Sequence, residues 1–362
     1  NPKVNWLYTT EAQESSGNRE ISWPRGKVLG GSSSINGHLI VRGQQEDYDG
    51  WRQLGNTGWS FDEVLPYFQK FESASLGDES LRGRDGPIKV QEPIEQHPLT
   101  RVFMDACEEA GLPRNADYNG TTQEGAGFFQ YALGNGRRMS TARAYLNPAK
   151  RRPNLQFTTK ALTKWIIVKD GRAVGVRYKH DGIEREAHAR GEIILSAGAV
   201  ESPRLLELSG IGDAQRLKSL GITVTAHSPL VGENLREHRY VAIDWRIRGH
   251  SSNQKLSGVG LISSVLQYLL LRRGAMTDAA HEVGGFIKTA PDLDRPDAQI
   301  GSMMVTMKQD ARGRVVLDNF PGMRLLGYFT RPESRGSTHI RSADPATPPQ
   351  MDANHFSKQL DR

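Results

Sequence analysis

The pattern of apolar and polar residues between positions 154 and 196 predicts an antiparallel β-meander. Short apolar stretches at 155–168, 173–178, 183–189 and 192–196 are separated in part by Asp170-Gly171 and Asp181-Gly182. Such dipeptides favour tight hairpin turns because both central residues need a positive φ. The last stretch is continuously apolar, which is typical of a strand buried on both faces of a mainly parallel sheet.

Helical signals occur on both sides of this meander. Ser60 and Glu63 have the spacing of a capping box, which predicts a helix starting there. Around Cys107 the apolar residues fall on one helical face, and Gly111 is predicted to end that helix. The predicted buried face consists of Leu99, Val102, Phe103, Ala106, Cys107 and Ala110. The segment between these helices, 76–98, is rich in Gly, Asp, Arg and Pro, which predicts a surface excursion.

Two apolar segments in the second half of the chain also carry helix signals. Ser202 is suited to cap a helix whose first turn contains Pro203. A strand, a small-residue turn and a helix together form a common anion or cofactor site, although such turns also serve packing alone.

The segment 259–271 is too short to span a bilayer. It is compatible with a packed helix or with an amphipathic helix at a membrane or pocket.

A glycine- and serine-rich stretch, RGKVLGGSSSING at 25–37, is the strongest candidate for a binding site. Two adjacent glycines followed by three serines let the backbone turn sharply and present its N–H groups to a flat or anionic ligand. Linkers have a similar composition, but a solvated linker would not carry apolar Val28, Leu29 and Ile35. We therefore expect a packed loop that holds a ligand.

Composition narrows the function classes. The net charge of +6 is spread along the chain instead of forming one basic block, which argues against a nucleic-acid partner. Cys107 is the only cysteine, so an intrachain disulfide is impossible, which suits a reducing, cytoplasmic compartment. The ten histidines show no convincing metal-ligand spacing, so no metal is expected.

Two long segments resemble the signatures of one family, the glucose-methanol-choline (GMC) oxidoreductases, which oxidise alcohols with FAD. Residues 23–37, WPRGKVLGGSSSING, resemble its first signature, and residues 198–212, GAVESPRLLELSGIG, resemble its second. Segments 230–238, 282–286 and 331–356 resemble further parts of the family, although Arg236-Glu237 stands where Gln-Asp is usual. The resemblance is closest to choline and alcohol dehydrogenases and covers nearly the whole chain.

The resemblance implies a mixed α/β fold with two domains. An FAD-binding Rossmann-like domain at 1–235 would contain the meander, and a substrate-binding domain at 236–362 would contain an antiparallel sheet. The family's G-x-G-x-x-G motif does not occur in this sequence, and no residue matches its catalytic His. We therefore expect a truncated, central part of a longer enzyme, inactive alone, with the motif before Asn1 and the His beyond Arg362.

The family's cofactor contacts can be transferred by position. Those on the first signature are Gly26, Val28, Gly30, Gly31, Ser32, Ser33, Asn36, Gly37, His38 and Leu39. Those elsewhere are Thr163, Ala197 and Gly198. Some family members bind FAD covalently through a His at the position that Ile35 occupies here, so non-covalent FAD is expected. His238 is expected to anchor its loop, while Glu282 is compatible with a substrate-facing or a structural role.

The intact protein is therefore expected to oxidise a primary alcohol, choline or an aliphatic or aromatic one, to the aldehyde by hydride transfer to flavin N5. A quinone, another acceptor or O₂ would reoxidise the flavin. A peripheral membrane contact stays open. The alternative is a non-catalytic flavin-binding or relic protein of this length.

Overall fold

The computed structural model describes residues 1–277, 281–310 and 315–362. Its helices are α1 (Gln45–Gln53), α2 (Phe61–Phe71), α3 (Pro98–Glu109), α4 (Asn147–Ala149), α5 (Gly198–Leu208), α6 (Ala214–Ser219), α7 (Ser252–Lys255) and α8 (Gly258–Leu271). Its strands are β1 (Tyr8–Thr9), β2 (Ser22–Trp23), β3 (Glu72–Ala74), β4 (Ile88–Gln91), β5 (Gly125–Phe128), β6 (Tyr131–Gly134), β7 (Arg137–Arg138), β8 (Ala161–Lys169), β9 (Arg172–His180), β10 (Ile183–His188), β11 (Ile211–Gly212), β12 (Ala226–His227), β13 (Val241–Arg246), β14 (His281–Ile287), β15 (Ala298–Met303), β16 (Met307–Gln309), β17 (Val315–Leu317), β18 (Gly322–Phe329), β19 (Ser337–His339) and β20 (Gln350–Asp352).

The first of two compact units comprises residues 1–5, 26–151 and 238–331. Its main sheet has the antiparallel order β13-β18-β15-β14-β5, and a second sheet has the order β3-β4-β6-β7. A cluster of aromatic and aliphatic side chains fills the space around β5, β6 and β14: Tyr118, Phe129, Tyr131, Leu133 and Phe286. This unit contains the antiparallel sheet that the sequence predicted.

The second unit comprises residues 6–25, 152–237 and 332–362. Strands β8, β9 and β10 form the predicted meander, in the order β10-β9-β8. Both predicted turns have positive φ at each central residue: 49° and 74° at Asp170-Gly171, and 50° and 80° at Asp181-Gly182. Because both units combine separated segments, the contiguous domains 1–235 and 236–362, with their assigned roles, stay predictions.

Two of the helix predictions are confirmed. Ser60 and Glu63 form a capping box at the start of α2, where the Glu63 carboxylate accepts a hydrogen bond from the Ser60 N–H at 3.0 Å. Helix α3 is followed by Gly111 at φ 88°, and Cys107 is a buried core thiol. The buried face of α3 differs from the prediction, because Thr100 and Met104 are buried with Cys107 while Val102 is exposed.

Two predictions around residue 195 are wrong. Segment 192–196 is not a strand, and Ile194 is 78% exposed, since no strand in the described ranges pairs with it. Helix α5 starts at Gly198, earlier than predicted, so Pro203 lies inside it. The Ser202 hydroxyl instead accepts a hydrogen bond from the Ala197 N–H at 3.1 Å.

The surface excursion predicted at 76–98 is only partly correct. Ile88 and Val90 on β4 are core residues, and Arg82 is also buried. Arg82 tolerates burial because its guanidinium pairs with Glu72 at 2.7 Å and with Asp117 at 2.6 Å. The charged composition of this segment therefore reflects a buried ion cluster as well as a surface.

Candidate functional site

The glycine- and serine-rich segment folds as a tight loop in the first unit. Gly30 and Gly31 have φ values of 90° and 54°, and a single 3₁₀ turn follows at Gly31–Ser34. A Cβ atom added to Gly26 would overlap the backbone carbonyl of Gly31, so the two chain segments approach as closely as glycine allows. The Gly26 N–H donates to the Ser32 hydroxyl at 3.1 Å, which closes the loop.

Ser33 ties this loop to the segment that starts at Thr141. The Ser33 hydroxyl donates to the Gly30 carbonyl at 2.6 Å and accepts from the Thr141 N–H at 3.0 Å. The Thr141 hydroxyl in turn lies 3.3 Å from the Gly30 carbonyl. Ser33 is therefore a structural support of the loop as well as a predicted cofactor contact.

The end of the loop is held by side chains of β6 and β7. The Asn36 side-chain oxygen accepts hydrogen bonds from the Arg138 guanidinium at 2.8 Å and from the His38 N–H at 3.0 Å. The buried His38 ring stacks on Tyr131 at a centroid distance of 5.1 Å, and Leu39 forms a β-bridge with Tyr131. Asn36 and His38 are thereby fixed before any ligand binds.

His38 is held in its neutral form. Burial, followed by the nearby charge of Arg138, lowers its pKa to about 4. His38 also has a positive φ of 47°, a conformation that few side chains adopt readily. Because the His38 imidazole is neutral and fixed in place, Arg138 is the positively charged side chain beside this end of the loop.

The other side of the loop is open. Val28, Leu29, Ser32, Asn36 and Gly37 are exposed. A Cβ atom at Gly31 or Gly37 would meet no atom within 4 Å. An exposed surface that combines apolar side chains, hydroxyls and unobstructed backbone suits a ligand with a flat ring and phosphates, so these residues fit FAD.

The predicted cofactor residues of the second unit lie on β8 and at the start of α5. Ala197 precedes α5, and Gly198, its first residue, has φ 92° with open space where a Cβ would stand. Thr163 on β8 is half-buried and pairs with Tyr178 of β9. Strand β8 joins α5 through a hydrogen bond of 2.8 Å from the Ile166 N–H to the Ser209 hydroxyl.

Glu201 occupies the first turn of α5, where a carboxylate complements the helix dipole. It accepts hydrogen bonds from the Tyr8 hydroxyl and from Arg204, the latter at 2.6 Å. Burial, followed by the hydrogen bond to Glu201, raises the pKa of Tyr8 well above its usual range. No pattern in the sequence indicated the Tyr8 contact, since 193 residues separate the partners.

Two residues outside the loop have structural roles. The His238 ring lies 2.9 Å from the Thr330 carbonyl and stacks on Tyr328, which confirms the predicted loop anchor. The Glu282 carboxylate accepts from the His97 N–H at 2.8 Å, at the start of α3. Within 1–277, 281–310 and 315–362, no group of His, Cys, Asp and Glu side chains could hold a metal ion.

Sequence reasoning missed three supports of the loop, namely Tyr131, Arg138 and Thr141. A signal existed for Arg138, because Asn135-Gly136 predicts a hairpin that returns the chain beside β6. Nothing in the sequence indicated which residues the returning strand would meet.

The chain matches known proteins along nearly its whole length. Residues 8–240 match the family model described as GMC oxidoreductase. The oxygen-dependent choline dehydrogenase of Rhizobium johnstonii is 38% identical over 373 residues, covering 99% of this chain and 65% of that protein. The mitochondrial choline dehydrogenase of Homo sapiens is 39% identical over 363 residues, covering 99% of this chain and 60% of that protein.

Solved structures show the same fold. Pyridoxine 4-oxidase from Mesorbium loti superposes with a TM-score of 0.85 at 27% identity, covering 99% of this chain and 67% of that one. Formate oxidase superposes with a TM-score of 0.89 at 25% identity, covering 99% and 68%.

The fold is the mixed α/β fold of these two oxidases. The chain belongs to the GMC oxidoreductase family. It spans 60–65% of the length of the choline dehydrogenases named here.

Proposed function

We propose that the intact protein is an FAD-dependent GMC oxidoreductase that oxidises a primary alcohol, with choline as the first candidate substrate. The observation that carries this proposal is the 38% identity to a choline dehydrogenase over 99% of the chain. The loop at 26–39 supports the proposal independently. Its backbone is closed and held by side-chain hydrogen bonds, whereas a linker has no such contacts. A non-catalytic flavin protein is the alternative that the tests below must exclude.

The proposed cofactor contacts are those predicted from the sequence. The loop residues are Gly26, Val28, Gly30, Gly31, Ser32, Ser33, Asn36, Gly37, His38 and Leu39, and the remaining contacts are Thr163, Ala197 and Gly198. Apolar Val28 and Leu29 offer a surface for the flat ring, while backbone N–H groups and serine hydroxyls offer donors for phosphate oxygens. Ile35 offers no group for a covalent bond, so FAD is proposed to dissociate.

When bound, FAD supplies the hydride acceptor for oxidation of an alcohol to an aldehyde. The neutral His38 and the Arg138–Asn36 pair would hold the loop rigid against the ring. The base for the hydroxyl proton is proposed to be a His beyond Arg362. The partners are then a small alcohol and an electron acceptor, either a quinone, another acceptor or O₂.

A cytoplasmic location with a peripheral membrane contact is part of the proposal. No helix among the described residues is long and apolar enough to cross a bilayer. The sole cysteine is buried and unpaired, which suits a reducing compartment.

Flavin content is the first test. The purified full-length protein should be yellow, and acid precipitation should release the flavin into the supernatant because the bond is not covalent. Flavin that stays in the pellet would contradict non-covalent binding. A colourless protein that gains no flavin absorbance with added FAD would overturn the cofactor assignment.

Substrate-dependent bleaching is the second test. Under anaerobic conditions, choline should bleach the visible flavin band, and benzyl alcohol and 1-octanol serve as the aromatic and aliphatic comparisons. Faster bleaching by either comparison would move the substrate class away from choline. A flavin-loaded protein that none of the three bleaches would favour the non-catalytic alternative.

A further inference from the structure

Helix α8 presents an apolar face to solvent, and Ser264 lies on the opposite side, against the protein. Ser264 is buried, and its hydroxyl donates to the Lys255 carbonyl at 2.7 Å. Five apolar side chains at helical spacing form the opposite face and are 53–83% exposed: Val259, Ile262, Leu266, Leu269 and Leu270. We call this face the apolar stripe. Of the two interpretations of 259–271 left open by the sequence, the outward-facing stripe favours the amphipathic helix over the ordinary packed helix.

Such a stripe needs an occupant, since soluble proteins rarely leave a continuous apolar patch of this size in water. The helix rises about 21 Å over its fourteen residues, so the stripe is long enough for a partner helix or a membrane surface. The charges around it decide between these occupants.

Cations border the stripe at both ends. Lys255 precedes α8, and Arg272 and Arg273 follow it, while residues 245–277 contain no Asp or Glu. A second copy of the chain, packed on the stripe in either direction, would bring cations against cations. An anionic occupant is favoured instead.

A cationic basin adjoins the C-terminal end of the stripe. This cavity of about 750 Å³ is bordered by four basic side chains, and its lining within the described residues includes no carboxylate: Lys89, Arg137, Arg143 and Arg272. The Asn135-Gly136 turn packs directly under the end of α8, because a Cβ on Gly136 would overlap the Arg272 carbonyl. The basin and the stripe are therefore one continuous surface.

We propose that this surface binds an anionic phospholipid membrane, with the apolar stripe at the level of the acyl chains and headgroup phosphates in the cationic basin. Anionic bilayers combine the two properties that the surface requires, an apolar interior and a layer of negative charge. The proposed function includes a peripheral membrane contact. This inference rests on that contact and assigns it to the apolar stripe and the cationic basin.

Vesicle flotation of the full-length, FAD-loaded protein tests the proposal. The protein should float with vesicles of phosphatidylcholine mixed with phosphatidylglycerol, bind much more weakly to phosphatidylcholine alone, and dissociate as salt is raised. Equal binding to both vesicle types, or binding to neither, would overturn the proposal, and binding to neither is the result expected if a further part of the intact protein covers the stripe.

Matched variants locate the contact. Leu266→Ser should weaken binding about tenfold or more, because a leucine that becomes buried in the bilayer contributes strongly, whereas Leu54→Ser, at the C-terminal cap of α1 and even more exposed (82% against 53%), should change nothing. Arg137→Gln should weaken binding about fivefold, whereas Lys218→Gln on α6 should not. Equal losses of vesicle binding in the variants and in their controls would contradict the assignment. A dimer in solution that Leu266→Ser dissociates would also contradict it, because the stripe would then be a dimer interface.

Flavin bleaching is measured in parallel. None of these variants lies in the cofactor loop, so bleaching by choline should persist in all of them. Loss of membrane binding with intact bleaching, and loss of bleaching with intact binding, therefore distinguish failure of this proposal from failure of the proposed function.

Discussion

At the residue scale, Gly26 is the position where the loop depends most directly on a missing side chain. It approaches the Gly31 carbonyl more closely than any Cβ permits, and its N–H is bonded to Ser32. A methyl group there must displace backbone, which cannot move as a flexible side chain does.

Gly26→Ala should therefore lower the free energy of unfolding by about 1–3 kcal/mol, and it should weaken FAD binding because the displaced backbone belongs to the proposed cofactor loop. Denaturant titration and flavin fluorescence quenching measure the two effects. Gly50→Ala is the control, because a Cβ at Gly50 in α1 meets no atom within 4 Å. That variant should be neutral or slightly stabilising, and a similar loss in both would refute the close-approach explanation.

At the element scale, a buried carboxylate joins β3 to two arginines from separate segments. Glu72 accepts from Arg42 at 2.6 Å, from Arg82 at 2.7 Å and from the Gly83 N–H at 3.2 Å. All three charged side chains are almost completely buried. The cluster stabilises only while the charges balance, because an unpaired buried guanidinium is costly.

Glu72→Gln should lower the free energy of unfolding by about 3–5 kcal/mol. Glu108→Gln is the matched control, since Glu108 pairs with Arg114 at a similar 2.8 Å but on the exposed surface. That change should cost less than about 1 kcal/mol. Urea titration of both variants decides the point, and equal costs would mean that burial does not strengthen the Glu72 cluster.

A histidine joins three segments of the second unit. His339 on β19 lies between Glu207 of α5, 2.7 Å from its Nδ1, and Glu233, 2.9 Å from its Nε2. The hydrogen bond to Glu207 is the largest influence and raises the pKa of His339 above its usual value. The protonated ring thus stabilises the folded state.

Because the folded pKa is raised, this contribution is complete below about pH 6.5 and is lost as pH rises through the folded pKa. His339→Gln should therefore cost more stability at about pH 6 than at about pH 9. Exposed His188, whose Nε2 lies 3.2 Å from Glu186, is the control, because removing a surface pair by His188→Gln should cost less than about 1 kcal/mol. Urea titrations at the two pH values measure this, and a pH-independent cost of His339→Gln would contradict the charged clamp.

The same elements show how far sequence reasoning reaches. The meander turns and the capping box of α2 were predictable because each depends on residues a few positions apart. The burial of Arg82, the exposure of Ile194 and the orientation of α8 were not predictable, because each is decided by partners distant in sequence. In the candidate site, the resemblance gave the loop, but its supports Arg138 and Thr141 required the three-dimensional structure.

At the scale of the whole molecule, a cofactor that binds only the folded chain must raise its stability. With free FAD at about one hundred times its dissociation constant, the free energy of unfolding should rise by about 2.7 kcal/mol. Thermal or urea unfolding with and without FAD measures this, with adenosine at the same concentration as the control. An equal rise with adenosine would mean that the flavin and pyrophosphate contribute nothing.

The single cysteine has a practical consequence for studying the molecule. Cys107 is buried, and burial raises the pKa of its thiol, so little reactive thiolate is available at neutral pH. A cysteine introduced at any exposed position would be the only accessible thiol in these 362 residues. Fluorophores or spin labels can therefore be placed one at a time on the folded protein, with the native cysteine left in place.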